Sequence, residues 1–161
     1  MYNMRDPLRR AEQLFADRQA VTCEGRSRTF GELATRVRKV AGLLEAITEP
    51  GDRVALWAAN SDVYLELFVG IPCANRAIVP HNTRWAEPEL VYATEDAGAK
   101  VLITDRDPGG LANSVDRVIR LDTGEYTPAA TELPLRASIA IREIAERDEP
   151  LVGLVTGDDA E

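Results

Sequence analysis

The sequence predicts an α/β fold with a parallel β-sheet at its centre, on three observations. Short apolar runs, Val54-Ala55-Leu56-Trp57, Ala77-Ile78-Val79 and Val101-Leu102-Ile103-Thr104, recur between turn residues, the pattern of strands covered on both faces. A helix opening at Ser61 separates the first two runs, and another from about Glu87 to Ala97 separates the second and third. Buried strands joined by a helix run parallel, with a right-handed crossover. Function is then to be sought near the carboxyl ends of these strands.

A chain of 161 residues, 45% apolar and 29% charged, is long enough to bury a core and too apolar for general disorder. No apolar run approaches the ~18 residues of a membrane helix, and the N-terminus lacks the apolar stretch of a signal peptide. Cys23 and Cys73 lie far apart, neither with metal-ligand spacing, and His81 is the one histidine, so a zinc site is not expected. The default setting is a reduced, cytoplasmic one. The net charge of −8 is uneven: residues 1–121 hold 16 basic and 17 acidic side chains, residues 122–161 hold 3 and 10. The excess acid reads as a solvated tail, and no basic stripe supports nucleic-acid binding. We therefore divide the chain into an α/β body, residues 1–121, and an acidic loop and short-helix tail, residues 122–161.

In order, residues 7–17 read as a short helix with Asp6 as N-cap, Pro7 at the first helical position, and Leu8, Ala11, Leu14 and Phe15 as its apolar stripe. Residues 20–23 and 27–29 flank Glu24-Gly25-Arg26, a β-hairpin signal. Thr29 and Glu32 have capping-box spacing and open the clearest helix. Along it Phe30, Leu33, Ala34, Val37, Val40, Ala41, Leu44 and Ile47 recur at helical period, leaving Arg36, Arg38 and Lys39 on the wet side. Pro50-Gly51 turns the chain into the first buried strand. Pro72 bends or stops the helix begun at Ser61. Pro80 ends the second strand, predicted buried like the first. Leu90, Val91, Thr94 and Ala97 face inward on the helix that Gly98 ends. Residues 108–114 have room for one or two helical turns before a fourth strand at 117–121. Residues 122–137 read as a loop, 138–147 as a short helix, and the apolar run 151–155 has no clear partner.

The chain is poor in chemical equipment. It has no Gly-x-Gly-x-x-Gly and no phosphate loop with a following Lys-Ser/Thr, and its two lysines, Lys39 and Lys100, fall on a helix face and a strand start. His81 stands at a strand end, a good place for function, although a lone histidine with no carboxylate or nucleophile beside it reads more readily as structural. Asn60 and Asn82 read as turn residues. Arg84 and Trp85 are the more informative pair. An arginine beside an exposed ring past a strand end suits a phosphate or a flat ring; the alternative is a solvated arginine with the tryptophan packed on the next helix.

Thr29-Phe30-x-Glu32-Leu33, Pro50-Gly51-Asp52-Arg53-Val54-Ala55-Leu56, Asn60-Ser61, Pro80-x-Asn82-x-Arg84, Glu89-Leu90 and Asp96-Ala97-Gly98-Ala99-Lys100-Val101-Leu102-Ile103-Thr104 follow one another with little gap adjustment. Over about residues 8–121 this resembles the N-terminal subdomain of the acyl-adenylate-forming superfamily, and most closely a bacterial AMP-forming acyl-CoA synthetase. Two positions depart from that pattern: Asn75 replaces a glycine, and Pro72 interrupts a helix. The resemblance implies that Mg·ATP and a carboxylate give an acyl-adenylate and pyrophosphate, after which the CoA thiol displaces AMP. It also implies that Arg84 meets the CoA nucleotide. The family's Thr/Ser/Gly-rich loop ending in Pro-Lys-Gly, its ribose-holding Asp and its adenylating Lys are not among these 161 residues, although Gly157-Asp158-Asp159-Ala160 resembles the approach to that loop. The expectation is an inactive N-terminal portion whose partners are the remainder of a ligase chain or a second copy on an exposed sheet edge. A binding or regulatory module that keeps the fold without the chemistry is the alternative. A flavodoxin-like nucleotide binder is a weaker third reading, resting on the four-strand pattern alone.

Overall fold

A computed structural model describes residues 4–121, and the expectations for residues 122–161 lie outside the described residues. Helix α1 (Arg5–Phe15) leads into a hairpin of β1 (Gln19–Cys23) and β2 (Arg26–Thr29), followed by α2 (Phe30–Ile47). Then β3 (Arg53–Trp57), α3 (Asp62–Cys73), β4 (Ala77–Pro80), α4 (Glu87–Ala97) and β5 (Ala99–Thr104) alternate. A 3-10 segment, Gly109–Ser114, precedes β6 (Arg117–Arg120). Strands β3 to β6 form one parallel sheet in the order β4-β3-β5-β6.

The period-2 geometry of the strands divides the core in two. Val54, Leu56, Val101, Ile103 and Ile119 face α2 and α3, where they meet Leu33, Val37, Leu44, Leu67 and Ile71. Ala55, Leu102 and Val118 face the other way, onto Leu90 of α4 and Leu111 of the 3-10 segment. Both faces are therefore covered, which is why these strands read as unbroken apolar runs.

Local chemistry explains most boundaries. Glu24 and Gly25 both have positive φ, 50° and 76°, the requirement of a two-residue hairpin turn whose twist suits the strands. The Thr29 hydroxyl accepts from the Glu32 N–H at 3.2 Å, and the Glu32 carboxylate accepts from the Thr29 N–H at 2.8 Å, the capping box its spacing predicts. Asn75 sits at φ 60°, so it fills the left-handed turn for which glycine is the usual residue. Gly98 ends α4 at φ 62°.

Four expectations are corrected. Helix α1 begins at Arg5, so Asp6 and Pro7 are its second and third residues and not the cap and first position; Met4 precedes it without a side-chain cap bond. Its apolar stripe meets the core only in part: Leu8 packs against it half-buried, while Leu14 and Phe15 are exposed. Strand β4 is an edge strand with Ile78 and Val79 only half-buried, which is where a strand proline such as Pro80 is tolerated. Arg36 turns inward and is only 13% exposed. No helix among the described residues is long and apolar enough to cross a membrane.

Candidate functional site

From β3 the chain crosses by α3 to β4 on one side, then returns by α4 to β5 on the other side, so the topology switches between β3 and β5. The crevice outside the carboxyl ends of such strands is where α/β sheets take ligands. Three loops leave the carboxyl ends of these strands: Ala58–Ser61 after β3, His81–Ala86 after β4, and Asp105–Pro108 after β5.

The second loop is tied at nearly every residue. The His81 N–H donates to the Leu56 carbonyl at 2.9 Å, extending the β4–β3 ladder by one rung. The Asn82 side-chain oxygen accepts from the Arg84 N–H at 2.9 Å, an Asx turn, and the Asn82 carbonyl accepts from the Trp85 N–H at 3.1 Å. The Glu89 carboxylate accepts from the Ala86 N–H at 2.9 Å and so fixes the entry to α4. These bonds hold the Arg84 backbone while its side chain stands in solvent, without an ion pair among the described residues. Trp85 is 38% exposed and packs on the buried His81 ring, with centroids 5.9 Å apart. A shallow 460 Å³ groove runs from Trp85 along Pro88, Glu89, Tyr92 and Ala93. The structure thus brings His81, Asn82, Arg84 and Trp85 into one loop and leaves Arg84 as that loop's free cation among the described residues.

The first and third loops are locked together. The Asp105 carboxylate accepts from the Ala59 N–H at 2.7 Å and from Arg106 Nε at 2.7 Å. Burial pushes the Asp105 carboxyl up, but those bonds and the Arg106 charge outweigh it and hold it below the usual value. The Arg106 guanidinium lies 5.1 Å from the Trp57 ring centroid, a cation–π contact.

One cluster escaped the sequence reading. Asp62 and Glu66, one turn apart on α3, are each 1% exposed and meet three arginines from two other elements. Arg26 Nη2 lies 3.1 Å and Arg28 Nη2 3.4 Å from the Asp62 carboxylate, and Arg28 Nε lies 3.3 Å from Glu66 Oε1, which Arg36 also grips. Burial raises the Asp62 pKa, but the charges of Arg26 and Arg28 outweigh it and hold the carboxyl low. The available signal was Asp62-x-x-x-Glu66 within an otherwise apolar helix, since two acids on a buried face require cations. Arg26, Arg36, Ser61, Asp62 and Asp105 line a 150 Å³ crevice at the switch point. The larger cleft, 540 Å³ between α1 and α2, lies where α3 ends at Cys73, toward the other end of the sheet. No group of three or more His, Cys, Asp or Glu among the described residues is placed to hold a metal ion.

Comparisons with known proteins agree with this architecture. Residues 8–153 match the model of the family described as AMP-binding enzyme. A 3-[(3aS,4S,7aS)-7a-methyl-1,5-dioxo-octahydro-1H-inden-4-yl]propanoyl:CoA ligase of Mycobacterium tuberculosis is 36% identical over 107 residues, covering 66% of this chain and 20% of that protein. A fatty acid–[acyl-carrier-protein] ligase of Streptomyces coeruleorubidus is 34% identical over 91 residues, covering 56% and 18%. Among solved structures, a fatty acyl CoA synthetase of Mycobacterium tuberculosis superposes with a TM-score of 0.61 at 30% identity, over 63% of this chain and 21% of that one. An anthranilate CoA ligase shares the fold with a TM-score of 0.75 at 22% identity, over 89% and 28%. The chain thus spans about a fifth of the length of these curated relatives. With the family model matched over most of its length, the chain belongs to the AMP-binding enzyme family.

Proposed function

We propose that these residues are the N-terminal α/β portion of an AMP-forming acyl-CoA synthetase, and that Arg84 meets the nucleotide of CoA. In the whole enzyme a carboxylate attacks the α-phosphate of ATP, pyrophosphate leaves, and the CoA thiol then displaces AMP from the acyl-adenylate. The observation that supports this reading is the Arg84 turn: a guanidinium with no ion pair among the described residues, its backbone pinned by Asn82, at the carboxyl end of a parallel strand. The described residues supply frame and rim. Nothing among them wraps ATP phosphates or carries the adenylating lysine, so the 161-residue chain by itself is read as inactive. The free thiols Cys23 and Cys73 suit a reduced, cytoplasmic setting.

The test is Arg84→Ala in a full-length parent, with the two half-reactions followed separately. Loss of a charge-assisted phosphate contact is expected to raise the KM for CoA about tenfold, from ~1.5 kcal/mol of lost binding. Carboxylate-dependent ATP–pyrophosphate exchange should be unchanged. An unchanged KM for CoA, or an equal loss in both half-reactions, would remove Arg84 from the acceptor site.

A further inference from the structure

We propose that His81 is the positioning residue of the Arg84 loop, a neutral imidazole post whose protonation in mild acid loosens the loop and weakens its grip on the nucleotide. The proposal deepens the reading of Arg84 given above, and rests on it for the identity of the ligand.

The geometry makes His81 the hub of this corner. Its backbone belongs to the end of β4 and bonds to β3. Its Nε2 lies 2.6 Å from the hydroxyl of Thr94, which is fully buried in α4. Its ring carries Trp85, the residue after Arg84. Strand end, loop and helix are thus joined through one side chain that is 5% exposed. The other ring nitrogen, Nδ1, is buried without a well-formed hydrogen bond among the described residues, the Pro80 carbonyl being the backbone group near the ring. A histidine placed only to fill a core would need no second nitrogen at this depth, and an apolar side chain would avoid the cost.

The neighbours also set the charge state. The groups facing the ring are the Thr94 hydroxyl, the Trp85 indole and the Pro80 carbonyl, and no described charged side chain contributes to its proton affinity. Burial holds the pKa below the ordinary histidine value, with the Pro80 carbonyl opposing it. At neutral pH the ring is therefore uncharged and serves as a packed post. Protonation puts a cation against Trp85 with Nδ1–H lacking a well-formed acceptor, and the ring must move toward water. Trp85 moves with it, and the Asn82–Arg84 turn loses its support.

The chain has two tryptophans, so 5-fluorotryptophan labelling gives two ¹⁹F resonances, assigned with Trp57→Phe and Trp85→Phe. Between pH 8 and pH 5 the Trp85 resonance should shift with a midpoint below the ordinary histidine value, while the Trp57 resonance holds still. In His81→Gln, whose amide can still reach Thr94 and does not titrate, that shift should vanish. A stationary Trp85 resonance, or the same shift in His81→Gln, overturns the proposal. CoA binding by a full-length parent and its His81→Gln variant supplies the second arm. Affinity should fall as pH is lowered through the midpoint of the Trp85 shift, by about tenfold once one loop in ten is left competent. The fall in His81→Gln should be only what titration of CoA itself produces. Equal falls in the two proteins overturn the coupling. If neither protein binds CoA at pH 7.5, the Arg84 reading fails, and the fluorine shifts still decide the role of His81.

Discussion

Gly70 gives the sharpest test of how the two halves of the described fold meet. It lies on α3, buried, facing α2. A Cβ at this position would stand 2.5 Å from Val40 Cγ1 and 2.9 Å from Val40 Cβ, closer than side chains approach. Val40 is 3% exposed and β-branched on a helix, so it has one strongly preferred rotamer and nowhere to swing. Gly70→Ala must therefore push the helices apart or strain Val40, at about 2 kcal/mol for overpacking. Alanine returns about 1 kcal/mol through helix propensity. The net expectation is a loss of about 1 kcal/mol, or about 4 °C in Tm for a body of this size. Thermal melts of four proteins decide it: the parent, Gly70→Ala, Val40→Ala and the double variant. The double variant should be at least about 1 kcal/mol more stable than the sum of the single losses, because Val40→Ala makes the room that the added methyl group on α3 needs. A Gly70→Ala protein more stable than the parent, with additive effects, would refute the close α2–α3 contact on which the core packing is argued.

Other expectations concern charges and caps. Thr29→Ala should cost about 1 kcal/mol by removing one half of the capping box, and denaturant melts at neutral pH would show it. Glu66→Gln leaves Arg36, itself mostly buried, without its carboxylate, and should cost about 3 kcal/mol or more in the same assay. Stability should fall in two windows as pH is lowered. His81 has a depressed folded pKa, so the unfolded chain binds more protons than the fold, and loss begins as pH drops through the unfolded value near 6.5. Asp62, Asp105 and Glu12 are also depressed; their contribution is present above the unfolded carboxylate values and is lost as pH falls below about 4 through the folded ones. His81→Gln should remove the upper window and leave the lower, as read from midpoints in urea across pH.

What the sequence disclosed was whatever local chemistry determines. Thr29 and Glu32 announce a cap, Glu24-Gly25 a tight turn and Gly98 a helix end, because each acts within four residues. The runs at Val54 and Val101 disclose a sheet covered on both faces, because burial leaves no polar position in the strand. Placement across the chain was less legible. Ile78 and Val79 are as apolar as central residues, and only the strand order shows that β4 lies at an edge. Arg36 falls on the polar side of α2 by its spacing, yet α3 brings Glu66 to meet it, a pairing 30 residues apart. Leu14 and Phe15 repeat at helical period without being buried, since periodicity records what could face a core and not whether one is there. At the candidate site the residues of one loop were readable together, from Pro80 to Trp85. The Thr94 contact that turns His81 into a post came only with the fold.

The most direct measurement of the central claim uses the 161-residue chain with ATP, Mg²⁺, CoA and a range of fatty acids, following pyrophosphate release. A frame without the adenylating machinery predicts release no greater than in reactions without protein. Carboxylate-dependent release above that background would contradict the account, because it would place the chemistry within residues here assigned only to scaffold and rim.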